Sequence, residues 1–153
     1  MTWVCDRGTF IHIPKCAGHS VMEYYPGRLY QEGWLHQPRS KVNADKVWTI
    51  VRHPVTRLVS YWLYEKRMKR TNLECIEWLR ERKPKSMDWY LDGPVDEILH
   101  FEKLPNNWPH LNNGNTKPAN FYTWNTGIEE YIIKEYTNDY ERFGYERTLD
   151  RKV

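Results

Sequence analysis

The chain lacks long apolar runs and has few cysteines, and each absence excludes a class of protein. Its 153 residues contain no apolar stretch near the roughly 20 residues of a membrane helix, and no secretion signal begins them. The three cysteines are widely spaced, without a Cys-x-x-Cys pair. We therefore expect a soluble, cytoplasmic protein with free thiols and no membrane partner.

Patterns for metal binding, for a Walker-type loop and for nucleic-acid binding are also absent. The histidines and cysteines do not have metal-ligand spacing, and there is no Gly-x-x-x-x-Gly-Lys-Ser/Thr sequence. The net charge of +3 favours a multiply anionic nucleotide but is too small to indicate a general nucleic-acid binder. We expect neither a metal nor a nucleic-acid partner.

One functional segment, residues 10–20, has the pattern of a strand leading into a helix. An apolar run ends at Pro14 and is followed by a cation, small residues and a hydroxyl. Backbone N–H groups and a cation can surround an anion at such a helix start. The candidate ligands of a phosphate are Lys15, Cys16, Ala17, Gly18, His19 and Ser20.

A second segment, residues 47–60, repeats this pattern. Arg52 ends an apolar run, Pro54 can be the first helical residue, and Ser60 follows about two turns later. Arg52 can hold a phosphate through a two-pronged contact, to which Ser60 adds a hydroxyl. Arg57 shares the helix face of Ser60 and either reaches the ligand or braces the loop. Together the segments fit a ligand with two separate phosphate groups.

In this order the two segments resemble the phosphate motifs of sulfotransferases, especially the carbohydrate-type and related small enzymes. These use 3′-phosphoadenosine 5′-phosphosulfate (PAPS) and release 3′,5′-phosphoadenosine (PAP). Residues 14–20 resemble the 5′-phosphosulfate loop, and Arg52 with Ser60 resembles the 3′-phosphate motif. Residues 98–104 and 139–145 are similar to a later core strand and to the chain end of these enzymes.

The resemblance implies transfer of a sulfuryl group from PAPS to an acceptor hydroxyl or amine, without a metal. A carbohydrate or another small hydroxyl compound is the expected acceptor. Lys15 would stabilise the leaving phosphate, and His36 is the candidate general base, with Glu23 and His19 as alternatives. Lys117 is a further candidate in a loop over the nucleotide. His19 departs from the family, which usually has a hydroxyl there.

Two other functions remain open. The small size and His19 also fit a non-catalytic module that binds PAP or another nucleotide. A nucleotide kinase of related fold is weaker, because its phosphate loop is missing. Many similar sugar sulfotransferases carry a membrane anchor, so we expect a bacterial or viral setting for this chain. The acceptor and the oligomeric state stay undetermined at this stage.

Alternating strand and helix patterns predict one α/β domain over residues 1–153. Strands are expected near residues 9–13, 47–51 and 97–101, with helices after each phosphate segment, at 73–82 and at 128–140. His12 lies within the first strand and is interpreted as a core histidine. The predicted architecture is a three-layer sandwich with a central parallel sheet and helices on both faces. The resemblance implies a reduced sulfotransferase fold of the P-loop NTPase/kinase-like kind.

Residues 104–120 are rich in Asn and Pro and predict a long loop. The aromatic residues of this region and just beyond it are candidates for stacking on adenine or on a sugar ring, or for packing beneath the loop. They are Trp108, Tyr122 and Trp124.

Overall fold

The structure is a computed structural model that describes residues 2–31, 36–105, 107–108 and 126–147. The chain forms two compact units, each described by itself below. The first comprises Met1–Arg52 and Met87–Asn112, and the second comprises His53–Ser86 and Asn113–Val153. That the whole chain is a single domain stays a prediction.

A five-stranded sheet forms the framework of the first unit. Its order is β3-β1-β2-β4-β5, in which β2, β4 and β5 run parallel and β1 is antiparallel to both of its neighbours. The strands are β1 (Trp3–Cys5), β2 (Gly8–Ile11), β3 (Gly27–Leu29), β4 (Val47–Val51) and β5 (Glu97–His100).

The predicted α/β class is confirmed, but the sheet predicted to be parallel is mixed: β2, β4 and β5 are parallel, and β1 is antiparallel to both of its neighbours. The sequence analysis missed β1 and β3, because three-residue strands are too short to show alternation. Gly8, with φ 117°, ends the two-residue turn between β1 and β2. The resulting hairpin supplies the antiparallel part of the sheet.

The predicted strand at residues 47–51 matches β4, whose five residues are all buried. Buried strands between parallel neighbours are apolar and β-branched on both faces, as this one is. The hydroxyl of Thr49 donates to the carbonyl of Ile11 at 2.8 Å and joins β4 to β2. These central strands therefore position the residues that follow them.

Six helices occur within the described residues. The first unit contains α1 (Gly18–Tyr24), α4 (Met87–Tyr90) and two short 3₁₀ turns at Arg39–Lys41 and Phe101–Lys103. The second unit contains α2 (Pro54–Arg67), α3 (Cys75–Arg82), α5 (Thr126–Glu135) and α6 (Thr137–Phe143). No helix in the described part of the chain is long and apolar enough to cross a membrane.

The helices of the second unit enclose their own core. Leu58 and Trp62 from α2, Leu79 from α3 and Ile132 from α5 are among its buried residues. The helix α2 begins at Pro54 as predicted, and the predicted final helix is divided in two at Tyr136. A run of apolar residues at helical spacing thus became two helices that still share one core.

Candidate functional site

The loop after β2 begins with a tight turn that contains Lys15. The N–H of Cys16 donates to the carbonyl of Ile13 at 3.1 Å, with Pro14 and Lys15 between them. Lys15 has a φ of 68°, so the turn has type II character, in which glycine normally occupies this position. A left-handed lysine costs about 1–2 kcal/mol. Such strain is typical of functional sites and makes Lys15 a functional candidate.

The same loop changes handedness again where α1 begins. Ala17 is left-handed, with φ 63° and ψ 25°, and is followed by Gly18, the first residue of α1. A left-handed residue before a right-handed one turns successive N–H groups toward one concavity that can hold an anion. The N–H groups of Ala17, Gly18 and His19 are the candidates for such a concavity, whereas the N–H of Cys16 donates to Ile13 within the turn.

Gly18 is required because the ring of His12 lies against it. A Cβ atom at position 18 would overlap the imidazole of His12. His12 is buried, as the sequence interpretation expected. Burial lowers the pKa of His12 well below its ordinary value, and nearby positive charges, including those of His36, His19 and Lys15, lower it further. His12 is therefore a neutral ring that packs against Gly18 in the loop after β2.

His36 is held beside the loop by the backbone of His12. Its Nδ1 atom lies 3.1 Å from the carbonyl oxygen of His12, and the two rings are 4.6 Å apart. Because a carbonyl only accepts hydrogen bonds, Nδ1 of His36 must carry a proton. In the neutral ring Nε2 then carries the lone pair and can accept a proton. A general base requires a nitrogen in this state.

Arg52, the first residue of the second candidate motif, contacts the loop that contains Lys15. It directly follows β4 and is only 4% exposed. Its Nη1 donates to the carbonyl of Lys15 at 3.2 Å, and its guanidinium lies 4.2 Å from the ring centre of Phe101. The contact forms because β2 and β4 are neighbouring parallel strands, whose carboxyl ends share one edge of the sheet.

The remaining motif residues, Arg57 and Ser60, belong to the second unit. Arg57 is fully buried and donates from Nη2 to the carbonyl of Lys85 at 3.0 Å, so it braces the segment after α3. Ser60 is buried too, and its Oγ has no hydrogen-bond partner among the described residues. Arg57 is expected either to reach the ligand or to brace the loop, and its bond to the carbonyl of Lys85 fits the bracing role.

His53, next to Arg52 in sequence, has a structural role. The N–H of Val55 donates to its Nδ1 at 3.2 Å, so the ring caps α2. The proton must then be on Nε2, which donates to the carbonyl of Glu146 at 3.2 Å. Tyr140 and Tyr145 face the ring edge-on. His53 therefore links the start of α2 to Tyr140, Tyr145 and Glu146.

The other candidates are not brought together in the same way. His19 and Glu23 are exposed on α1. Lys117 lies outside the described residues, as do Tyr122 and Trp124. Within the described ranges, no group of three or more His, Cys, Asp or Glu side chains is arranged to hold a metal ion.

The sequence analysis missed two participants, the contact of His12 with Gly18 and the ring of Phe101. The first could not be found from spacing, because it depends on how β2 enters the loop. The second carried a signal, since Phe101 ends the strand expected at residues 97–101 and adjacent parallel strands end at one edge. That edge now contains Lys15, Arg52, Phe101 and the histidine pair.

Comparison of the chain with protein-family models, with curated proteins and with solved structures finds no match in any of the three. Arguments about its activity therefore depend on the residues and contacts described above.

Proposed function

We propose that this chain is a minimal sulfotransferase that transfers a sulfuryl group from PAPS to a hydroxyl or amine, with a carbohydrate as the favoured acceptor. The proposal includes the reduced sulfotransferase fold of the P-loop kind, a three-layer sandwich, that the resemblance implies for residues 1–153. The observation that carries the proposal is the bond between Arg52 and the carbonyl of Lys15. Lys15 and Arg52, which come from two segments far apart in sequence and each suited to a phosphate, meet there.

Lys15 and Arg52 are suited to the two phosphate groups of PAPS. Lys15 would neutralise the charge that develops on the leaving 5′-phosphate, and the N–H groups from Ala17 to His19 would orient the same group. Arg52 would bind the 3′-phosphate. A guanidinium has five N–H donors, so its bond to the Lys15 carbonyl is compatible with a second contact to a phosphate.

His36 is the proposed general base. Its bond to the His12 carbonyl fixes the proton on Nδ1 and leaves Nε2 as the proton acceptor in the neutral ring. General base catalysis typically contributes about 10²–10⁴-fold to the rate. We therefore expect His36→Ala to retain PAP binding while turnover falls by about two orders of magnitude or more.

A non-catalytic module that binds PAP is the second candidate. It is favoured by His19, an exposed imidazole where the resemblance implies a hydroxyl facing the phosphate. This candidate predicts the same nucleotide affinity but no turnover with any acceptor. It also predicts that His36→Ala changes nothing that a binding assay or an activity assay measures.

Calorimetric titration with PAP tests the nucleotide site without knowledge of the acceptor. Matched ligands are AMP, which differs from PAP only by lacking the 3′-phosphate, and ADP with and without Mg²⁺. We expect PAP to bind independently of metal and about tenfold or more tighter than either ligand. Arg52→Lys should remove most of the preference for the 3′-phosphate, because lysine lacks the two-pronged geometry. Lys41→Gln, an exposed cation of the same unit, is the control.

Equal affinity for PAP and AMP would contradict a 3′-phosphate site at Arg52. Tight binding of ADP that requires Mg²⁺ would favour the kinase instead. Either result would remove the main support for a sulfotransferase.

A further inference from the structure

A cavity of about 420 Å³ lies in the first unit between the end of α1 and β5. Its size is that of a small-molecule site. Residues of β5 form one side, and aromatic rings and cations form much of the rest. The residues that characterise it are Arg7, Tyr24, Tyr25, His100, Lys103 and Trp108. Neither phosphate motif contributes a residue to this lining.

Three aromatic rings form a connected wall of the cavity. Tyr24 stacks on Trp108 with ring centres 5.0 Å apart and an angle of 21° between the rings. Tyr25 meets both of them edge-on. Tyr24 remains 44% exposed, so part of its ring is accessible to a ligand. Aromatic faces of this kind bind the flat apolar surface of another ring.

Among the described residues, the charged side chains that line the cavity are the cations Arg7 and Lys103, and no Asp or Glu of that part of the chain does so. Arg7 is oriented by three bonds, from Nη2 and Nε to Oε1 of Glu97 at 2.7 and 3.1 Å and from Nη1 to the hydroxyl of Tyr25 at 2.9 Å. Lys103 is exposed on the 3₁₀ turn after β5. This lining favours a negative ligand.

We infer that this cavity binds a compound in which a six-membered ring carries a carboxylate. The ring would lie against Tyr24, and the carboxylate would pair with Lys103. Sugar acids and aryl acids share this chemistry. That the bound ring is the sulfuryl acceptor rests on the proposed function, whereas the binding itself does not.

The position of the cavity is suitable for an acceptor. The helix α1 begins at the phosphate loop and ends at Tyr24, and its seven residues span about 10 Å. His100 precedes Phe101, the ring on which Arg52 stacks. A ligand in the cavity would therefore lie about one short helix away from Lys15.

Calorimetric titration in the absence of nucleotide tests the inference. Methyl β-D-glucuronide and methyl β-D-glucoside differ only in the carboxylate, and benzoate and acetate differ in the ring. We expect the glucuronide to bind about tenfold tighter than the glucoside, as a charge-assisted bond provides. We also expect benzoate to bind more tightly than acetate. Whichever of the glucuronide and benzoate binds more tightly shows whether the ligand is a sugar acid or an aryl acid.

Two variants locate the binding in the cavity. Lys103→Gln changes an exposed side chain and should reduce the preference for the carboxylate to about threefold or less, because the point charge is removed. Tyr24→Ala should weaken both ring acids and leave acetate unaffected. Lys41→Gln is again the control for a general loss of positive charge, and thermal unfolding verifies that each variant is folded.

The inference would be overturned if the protein preferred neither glucuronide over glucoside nor benzoate over acetate, or if the Lys103→Gln protein bound these ligands as the original does. The PAP titration tests the proposed function independently of the titrations with ring acids. If PAP binds and no ring acid does, the inference fails and the proposed function stands. If a ring acid binds and PAP does not, the cavity is a binding site of a protein with another activity.

Discussion

Lys15 occupies a backbone conformation with positive φ that glycine adopts at lower energy. Replacing Lys15 by glycine therefore removes the backbone strain and the side-chain cation together, and the two effects can be measured separately, as stability and as ligand affinity. We predict that Lys15→Gly keeps or raises the free energy of unfolding, by up to about 1 kcal/mol, because the left-handed penalty disappears. The affinity for PAP should fall about tenfold or more, since the cation is lost. Urea denaturation and calorimetry measure the two effects.

Lys83 provides a matched control for that prediction. It ends α3 in the same left-handed conformation, with φ 46°, and lies in the second unit outside both phosphate motifs. Lys83→Gly should therefore stabilise the protein without changing PAP affinity. If Lys15→Gly binds PAP as well as Lys83→Gly does, the assigned role of Lys15 is wrong.

His12 is predicted to make the stability depend on pH. Its pKa is lowered in the folded protein, mainly by burial, so the unfolded chain binds the proton more readily. The free energy of unfolding should then decrease as the pH falls below the ordinary histidine pKa of 6.5. One such group contributes at most about 1.4 kcal/mol per pH unit.

Urea denaturation of the original protein and of His12→Gln, at about pH 7.5 and about pH 5.5, isolates this contribution. The original protein should lose more stability on acidification than the variant does. Parallel losses in the two proteins would show that His12 is not held neutral. His36, Lys15 and His19 surround this ring, so the comparison has to be made at equal ionic strength.

At the scale of single elements, α2 depends on the cap that His53 provides. His53→Ala removes both the bond from Val55 and the bond to Glu146. His53→Asn keeps a side chain that caps helices well, but cannot reproduce the ring contacts. We predict that the Ala variant is about 1 kcal/mol less stable than the Asn variant. Urea denaturation tests this, and equal stabilities would mean that the cap contributes little.

The elements also show what the sequence could predict. The start of α2 was visible in Pro54, and β4 was visible as five consecutive apolar or β-branched residues. The proximity of Lys15 and Arg52 followed from their places after two parallel strands. In contrast, β1 and β3 have three residues each, and β3 is exposed throughout. Their pairing is decided by a turn and by neighbouring strands rather than by their own pattern.

At the scale of the whole molecule, the two units are interleaved along the chain. The chain leaves the first unit after Arg52, returns at Met87 and leaves again after Asn112. Neighbouring strands β4 and β5 are thus separated in sequence by α2 and α3 of the second unit. Neither unit is one continuous segment, which is consistent with the prediction of a single domain.

We predict that both units unfold in one cooperative transition. Hydrogen exchange measured by mass spectrometry at increasing urea should give β4 and α5 the same free energy of global opening. Two separate transitions, with α5 opening at lower urea than β4, would contradict a single domain and require that the units be treated as independent.

The parallel pairing of the sheet has a consequence for how the protein acquires its structure. The hairpin of β1 and β2 joins near neighbours, whereas Thr9 pairs with Val47 and Trp48 with Glu97, about forty and about fifty residues apart. Such long closures slow folding. The hairpin should therefore form early. The loop after β2 should reach its final shape only when β4 pairs with β2 and brings Arg52 to the carbonyl of Lys15.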